Sequence, residues 1–248
     1  MRIYAIGDIH GQLDMLRAAH ARIDADRARV GDPAAPIVHL GDLVDRGPDS
    51  CGVIDYLIDG LDQGERWIVL SGNHDQMFLS HLDAAQGNTP ANDPGLSWLD
   101  ARMGGRETLA SYGITTGFWT RQSKVHEETR ERVPEVHHRF LRRLPLWHET
   151  RDLLFVHAGI RPGVPLPEQL PEDLVWIRGS FLEDRRPHPW LVVHGHTPVE
   201  RPWHYGNRVN LDTGAGYGAP MTAAVFEGRN VWVLTESGRV PLTPEPSA

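Results

Sequence analysis

The 248-residue chain is 40% apolar and 23% charged, and it carries a formal net charge of −8 at pH 7. These fractions exclude a disordered chain, and the length allows one large hydrophobic core. No run approaches the ~20 apolar residues of a membrane span, and the N-terminus lacks the features of a signal peptide. The negative charge disfavours nucleic acid and anionic lipid as partners. The one cysteine, Cys51, allows no internal disulfide, so we expect a cytoplasmic protein.

The first part of the chain alternates between apolar runs and stretches with helical spacing. The apolar runs cover residues 2–8, 36–42 and 66–73, and the helical stretches follow at about 13–29, 49–61 and 75–84. This alternation predicts a β-α-β-α-β-α segment whose strands pair in parallel through right-handed crossovers.

The middle of the chain has a different pattern. Residues 86–100 have the composition of a loop, residues 104–113 predict a helix closed by Gly113, and residues 125–143 are charged and helical. The charges of the last stretch are mixed in sign, which is typical of a solvated helix surface. We interpret residues 86–143 as a helical insertion over the sheet.

Strand-like runs dominate the rest of the chain. They cover residues 153–159, 190–196, 208–214, 221–228 and 230–236. The whole pattern predicts one α/β domain over residues 1–242, followed by a disordered tail at 243–248.

Several histidines call for no functional explanation. We expect a surface position for those that stand among charged and polar residues, namely His20, His126, His137, His138 and His188. His39 lies inside an apolar run, and we expect it to be a packed, hydrogen-bonded core residue rather than a ligand.

Five apolar runs end in residues of the kind that bind metals. They are Asp8 and His10 in GDIHG, Asp42 and Asp45 in GDLVDRGP, Asn73 and His74 in GNHD, His157 in VHAG, and His194 and His196 in VHGHTP. The carboxyl ends of strands in an open α/β sheet converge, so these side chains should meet. Asp42 taken alone could simply cap a helix. Two carboxylates, one amide oxygen and three imidazoles beside glycines together match the needs of two adjacent divalent ions.

The order of these motifs between residues 7 and 197 resembles that of the calcineurin-like metallophosphoesterases. The chain looks specifically like the phosphoprotein phosphatase branch in its bacterial and phage form. This resemblance implies a four-layer α/β/β/α sandwich with two central mixed sheets and a helical insertion.

The resemblance also implies a ligand set for two divalent metal ions. Asp8, His10 and Asp42 would hold the first ion, and Asp42 would bridge to a second ion completed by Asn73, His157 and His196. A water between the ions would then attack the phosphorus directly. Oxygen and nitrogen ligands without thiolate favour Mn²⁺, with Fe and Zn²⁺ as alternatives.

Other positions match the residues that handle the substrate in this family. His74 corresponds to the general acid, and Asp45 to the carboxylate that orients it. Arg46 would bind phosphate oxygens together with Asn73, and Arg178 resembles the second phosphate arginine of bacterial relatives.

Two positions leave alternatives open, and a third departs from the family pattern. Arg185 or Arg186 could replace Arg178 as the second phosphate ligand. His194 could orient a ligand or only pack. Asp75 stands where eukaryotic protein phosphatases usually have Glu, and we expect it to act near the ligands rather than in the reaction.

The resemblance predicts a phosphomonoesterase that acts on phosphoserine or phosphothreonine in proteins and on small aryl phosphates. The alternative is a symmetrical bis(5'-nucleosyl)-tetraphosphatase, a group that shares GDIHG and GNHD but generally has Ala where this chain has Asp45. A non-catalytic phosphate-binding module would be expected to lose a ligand or the acid, and a nuclease would need a basic groove. The retained Asp45 favours the monoesterase.

Overall fold

Eleven strands form two β-sheets in the part of the chain that the computed structural model describes, residues 1–88, 98–117 and 119–244. The strands are β1 Arg2–Ile6, β2 Ile37–His39, β3 Trp67–Val69, β4 Trp147–Glu149, β5 Leu153–Val156, β6 Leu191–His194, β7 Trp203–His204, β8 Arg208–Asn210, β9 Ala223–Glu227, β10 Asn230–Thr235 and β11 Gly238–Pro241. Residues 89–97 of the expected loop and 245–248 of the expected disordered tail lie outside the described ranges.

Both sheets are mixed. The first has the order β11-β10-β9-β1-β2-β3, and the second has the order β4-β5-β6-β8-β7. β1, β2 and β3 pair in parallel, as predicted from the alternation of strands and helices, and β9 joins β1 antiparallel. In the second sheet β5, β6 and β8 are parallel to one another. The polar residues that follow these parallel strands therefore emerge at one edge of the sandwich.

The two sheets pack against each other through one face of each. Ile3 and Ala5 of β1 share an apolar core with Leu153 and Phe155 of β5, because alternate residues of a strand point to opposite faces. The ring of Phe155 meets that of Phe226 edge to face, with centroids 5.7 Å apart. This core lies between the sheets and fixes their relative position.

Helices cover the two outer faces. The helices are α1 Leu13–Val30, α2 Ser50–Asp62, α3 Asn73–Ala85, α4 Gly105–Ser111, α5 Gln122–Arg132, α6 Glu135–Arg143, α7 Pro171–Trp176 and α8 Gly179–Leu182. The apolar sides of α1 to α6 share one core with the first sheet, in which α4 to α6 pack on α2 and α3, and α7 and α8 pack on the second sheet. The predicted four-layer α/β/β/α arrangement is confirmed. None of the described helices is long and apolar enough to cross a membrane.

The charged stretch 125–143 is two helices rather than one. α5 ends at Arg132 and α6 begins at Glu135, with Pro134 between them as the cap of α6. Proline has no N–H to donate and its ring clashes with the preceding turn, so the stretch does not continue as one helix through residue 134. The inner sides of the two helices are buried, with Val125 on α5 and Leu141 on α6.

The expectation that His20, His137 and His138 lie on the surface is wrong. His137 is buried between Tyr112 and Asp55, and His138 is buried against Asp83. Tyr112, Asp55 and Asp83 are the hydrogen-bond partners that stabilise these buried rings, and they lie far from the histidines along the chain. His126 and His188 are partly buried.

His20 joins a buried cluster that includes His39. The Nε2 atoms of the two rings are 2.9 Å apart, and Trp67 meets His20 edge to face at 4.5 Å between centroids. The predicted role of His39 as a packed, hydrogen-bonded core residue is confirmed.

Acidification should destabilise the fold through His20. An unfolded imidazole has a pKa of about 6.5, whereas burial lowers the pKa of His20 to about 4. Between these values only the unfolded chain takes up the proton, so stability falls as the pH falls. We expect wild type to lose roughly 1 kcal/mol relative to His20→Gln between pH 7.5 and pH 5.5 in urea unfolding. A stability difference that stays constant over this range would contradict the assignment.

Candidate metal centre

The six predicted metal ligands come together at one edge of the sandwich. Asp8 and His10 follow β1, Asp42 follows β2, Asn73 begins α3, His157 follows β5 and His196 follows β6. All six are buried. The strands end before these residues, so five of the side chains are carried by short loops that leave the sheet, and Asn73 is carried by the first turn of α3.

The backbone of these loops is strained. Among the described residues, every non-glycine residue with positive φ belongs to this region, namely His10 (49°), Asp42 (49°), Asp45 (74°), Arg46 (67°) and His196 (66°). A left-handed conformation costs a residue with a Cβ about 1 kcal/mol or more, and such residues concentrate at functional sites. The loops are thus shaped to direct particular side chains rather than to minimise local energy.

Asp42 lies at the centre of the group. One of its carboxylate oxygens is 3.5 Å from His10 Nε2, and the other is 3.4 Å from His157 Nε2. The second oxygen also accepts the backbone N–H of His74 at 2.9 Å. Burial disfavours the charge of this carboxylate unless positive charge lies beside it. The carboxylate thus faces two clusters of nitrogen ligands, one on each side.

The hydrogen-bond partners of His10 and His157 fix which ring nitrogen carries the proton. Nδ1 of His10 is 2.9 Å from the Val44 carbonyl, and Nδ1 of His157 is 2.9 Å from the Leu40 carbonyl. A carbonyl only accepts, so each Nδ1 must donate and each Nε2 must present a lone pair. Burial lowers the pKa of both rings, which disfavours a second proton on Nε2. Both Nε2 lone pairs therefore point at the carboxylate oxygens of Asp42.

Asn73 and His196 complete the second side of the group. Asn73 Oδ1 lies 3.0 Å from His157 Nε2 and 2.8 Å from His196 Nδ1. The Nε2 atom of His196 is buried and has no partner among the described residues. Burial lowers the pKa of His196 to about 2, and the charge of Arg178 adds to the effect. The lone pair of His157 thus faces an amide oxygen and a carboxylate oxygen at once.

Carboxylates also crowd one another here. Burial raises the pKa of Asp8 well above its ordinary value, and repulsion from Asp212 and Asp42 raises it further. Burial likewise raises the pKa of Asp212 to about 6. The backbone N–H of His196 donates to Asp8 at 3.1 Å, which relieves only part of this charge. A concentration of buried negative charge and lone pairs is stabilised by cations.

The donor set fits two divalent cations that share Asp42. The ligand atoms of His10, Asp42 and His74 lie within 4.8 Å of one another, as do those of Asp42, His157 and His196. All of these donors are oxygen or imidazole nitrogen, a set that suits Mn²⁺, Fe and Zn²⁺ alike. His74 enters the first group by proximity, although the resemblance assigns it to proton transfer.

A buried pair of Asp45 and His74 borders the metal ligands. Asp45 Oδ2 is 2.6 Å from His74 Nδ1. The same carboxylate accepts from Trp98 Nε1 at 2.8 Å and from the Thr108 hydroxyl at 2.7 Å. Burial raises the pKa of Asp45, and the three donors act in the opposite direction. These donors hold Asp45 in one orientation and thereby fix the ring of His74.

The four arginines considered as phosphate ligands have different surroundings in the structure. The guanidinium of Arg46 lies at the cluster, where Nη1 contacts His10 Nε2 and Nη2 donates to His74 Nε2 at 2.8 Å. Arg178 is exposed, and its charge lowers the pKa of His157 and His196, so it faces the same group. By contrast, Arg186 pairs with Asp184 at 2.7 Å and Arg185 lies over the Tyr205 ring at 5.5 Å. Arg185 and Arg186 thus have other partners, and Arg178 stays the predicted second phosphate ligand.

His194 and Asp75 hold the framework around the ligands. His194 Nδ1 is 3.0 Å from the Gly195 carbonyl and its Nε2 accepts from Arg208 at 3.0 Å, so both ring nitrogens are engaged. This favours packing over ligand orientation. Asp75 accepts the backbone N–H groups of Leu43 and Gly72, each at 2.8 Å. It thereby ties the loop after β2 to the start of α3.

Sequence reasoning missed three buried side chains next to the predicted site, Asp212, Trp98 and Thr108. Asp212 ends the run 208–214 in the same strand-then-acid pattern as Asp8 and Asp42, so a usable signal was present. Trp98 and Thr108 belong to the insertion, where neither composition nor spacing indicates contact with a residue more than fifty positions away.

Asp42→Asn should weaken both metal sites together, because it removes negative charge from between two cations. We expect wild type to bind two Mn²⁺ ions in titration calorimetry and the variant to lose tight binding of both. Asp14→Asn, an exposed acid on α1, is the control and should bind as wild type does. Two tightly bound ions in the Asp42 variant would contradict a shared carboxylate.

Trp98→Phe should lower turnover of p-nitrophenyl phosphate, if the activity implied by the resemblance is present, without loss of metal, because it removes the hydrogen bond to Asp45 and keeps the aromatic ring that stacks on Phe78. A hydrogen bond to a charged group contributes about 1.5–3 kcal/mol, so we expect a decrease in kcat of roughly 10- to 100-fold. The metal content should remain that of wild type. Unchanged turnover would show that Trp98 does not position Asp45.

Comparison with known proteins agrees with this geometry. The family Calcineurin-like phosphoesterase matches residues 1–223. The chain is 29% identical to serine/threonine-protein phosphatase 1 of Salmonella typhimurium over 90% of each chain. It is 27% identical to the asymmetrical bis(5'-nucleosyl)-tetraphosphatase PrpE of Anoxybacillus flavithermus, over 88% of this chain and 87% of the relative.

The fold also resembles that of a solved phosphatase. It matches the cold-active protein-tyrosine phosphatase of a psychrophilic Shewanella species with a TM-score of 0.63 and 16% identity, over 98% of this chain and 80% of the other. The family match covers most of the sequence, and its boundaries include all six proposed ligands. The chain therefore belongs to the calcineurin-like phosphoesterase family.

Proposed function

We propose that this phosphoesterase is a dinuclear-metal phosphomonoesterase that hydrolyses phosphoserine and phosphothreonine in proteins, and small aryl phosphates as well. The observation that carries this proposal is the buried pair of Asp45 and His74 at 2.6 Å beside the metal ligands. A protein phosphatase among the relatives supports it.

The pair matters because of the leaving group of a monoester. Serine and threonine alkoxides are strong bases, so the departing oxygen must receive a proton as the P–O bond breaks. Asp45 accepts from Nδ1 of His74, which leaves Nε2 on the side that faces the cluster. A charged His74 would deliver its proton from Nε2, and Asp45 would stabilise that charge.

The remaining residues bind and orient the phosphate. Arg46 would exchange its imidazole contacts for phosphate oxygens, and Arg178 would approach from the side of His157 and His196. Asn73 would contribute through its amide. Two divalent ions, expected to be Mn²⁺, would lower the pKa of a coordinated water and neutralise the negative charge of the phosphate.

A second candidate is hydrolysis of a dinucleoside tetraphosphate. The tetraphosphatase among the relatives favours this candidate. That relative is named an asymmetrical tetraphosphatase, whereas the motifs of this chain suggested the symmetrical group. Hydrolysis of an anhydride releases a phosphate, which is a weak base and gains little from an acid. The network of three donors around Asp45 therefore favours the monoester.

The single cysteine leaves a cytoplasmic location as our expectation.

His74→Asn should lower kcat by roughly 10²- to 10⁴-fold and leave the metal content intact, because it removes a proton donor and no proposed ligand. The loss should be smaller for p-nitrophenyl phosphate than for an alkyl phosphate, since nitrophenolate needs little protonation. We would measure both substrates with wild type and variant under equal Mn²⁺. An equal loss for the two substrates would argue against proton donation by His74.

Substrate preference separates the two candidate functions. We expect wild type to hydrolyse a phosphoserine peptide with a higher kcat/KM than diadenosine tetraphosphate. Asp45→Ala should reduce kcat/KM for the peptide at least about tenfold and affect the tetraphosphate much less. If wild type prefers the tetraphosphate by an order of magnitude, the proposal fails and the second candidate replaces it.

A further inference from the structure

A short turn between β8 and β9 lies against the proposed metal centre. It is the 3₁₀ turn Ala215–Tyr217, flanked by Gly214 and Gly218 in left-handed conformations. A Cβ added at Gly216 would lie 2.7 Å from the ring of His10, closer than a side chain allows. The backbone of the turn therefore rests directly on His10, and the position of Tyr217 is fixed relative to the cluster.

Tyr217 is exposed, yet its ring has a specific neighbour. The side chain is 68% exposed, and the guanidinium of Arg46 lies over the ring with Cζ 4.9 Å from its centroid. A guanidinium at this distance is attracted by the electron density of an aromatic face. An aromatic side chain gains little by burial at such exposure, whereas the contact with Arg46 is a specific interaction of its ring.

The other contacts of Arg46 are ones that it must give up during the reaction. Its two terminal nitrogens contact Nε2 of His10 and Nε2 of His74. His10 Nε2 is a proposed metal ligand, and His74 Nε2 is the proposed proton donor. Binding of metal and substrate therefore requires Arg46 to leave both imidazoles, whereas its contact with the face of the Tyr217 ring involves neither imidazole nitrogen.

We propose that Tyr217 is a positioning residue that holds the guanidinium of Arg46 over the metal centre while its N–H groups change from imidazole nitrogens to phosphate oxygens. The inference rests on the proposed function, in which Arg46 binds the phosphate. The aromatic face restricts the long side chain of Arg46 to few conformations, so less entropy is lost when the phosphate binds. The effect should appear in phosphate affinity more than in the rate of the chemical step.

The test compares Tyr217→Phe, which keeps the aromatic face, with Tyr217→Leu, which removes it. With Mn²⁺-loaded enzyme, we would measure competitive inhibition by inorganic phosphate, and KM and kcat for p-nitrophenyl phosphate. We expect Tyr217→Leu to raise the inhibition constant and KM about three- to fivefold, with a smaller change in kcat, and Tyr217→Phe to restore both constants. Val240→Ala, at an exposed apolar position on β11, is the control.

Repeating the Tyr217→Leu measurement in an Arg46→Ala background identifies the route of the effect. If Tyr217 acts through Arg46, the loss of phosphate affinity that Tyr217→Leu causes in the presence of Arg46 should disappear when Arg46 is absent. An equal loss in both backgrounds would show that Tyr217 contacts the substrate itself, which would overturn the proposal. Phosphate inhibition unchanged by Tyr217→Leu would overturn it as well, as would an equal loss in Tyr217→Phe.

The same experiment distinguishes failure of this inference from failure of the proposed function. If Arg46→Ala leaves phosphate inhibition unchanged, Arg46 is no phosphate ligand and its assigned role fails together with the inference. If Arg46→Ala weakens inhibition while Tyr217→Leu does not, only the inference fails.

Discussion

The site is organised by electron-pair donors that face one another across the carboxylate of Asp42. Both of its oxygens are approached by imidazole nitrogens whose protons are held on the far side of the ring by backbone carbonyls. Lone pairs opposed in this way repel one another unless positive charge lies between them. The carbonyls of Val44 and Leu40 thus determine the chemistry of the site, because they prevent the rings from satisfying Asp42 by simple hydrogen bonding.

The rigid sheets of the fold hold these mutually repelling donors close together. The strands that carry the ligands are parallel and buried on both faces, so their carboxyl ends are held close together. Strained loops then direct the side chains inward, and the loops touch one another so closely that the distances between them are fixed. A Cβ at Gly72, for example, would lie 2.2 Å from Asp42 Oδ1. Asp75 ties the same two loops together through backbone N–H groups.

Much of this could be predicted from the sequence. Apolar runs that end in Gly-Asp or Gly-Asn indicate strand ends, and the convergence of strand ends brings Asp8, Asp42 and Asn73 together. The sequence did not reveal contacts that depend on how distant segments fold back. The insertion brings Trp98 and Thr108 to Asp45, and His137 is buried by partners, Tyr112 and Asp55, that lie far from it along the chain. A local sequence pattern indicates whether a segment forms a helix or a strand and where it ends, whereas contacts between distant segments depend on tertiary packing.

The most direct test of this account is where metal ions bind in the folded protein. Crystals grown with Mn²⁺ and measured at the manganese absorption edge would give anomalous peaks at the ion positions. The account predicts two peaks that share the carboxylate of Asp42, one also contacting His10 and the other contacting His157 and His196. A single peak, or two peaks that do not share Asp42, would contradict it.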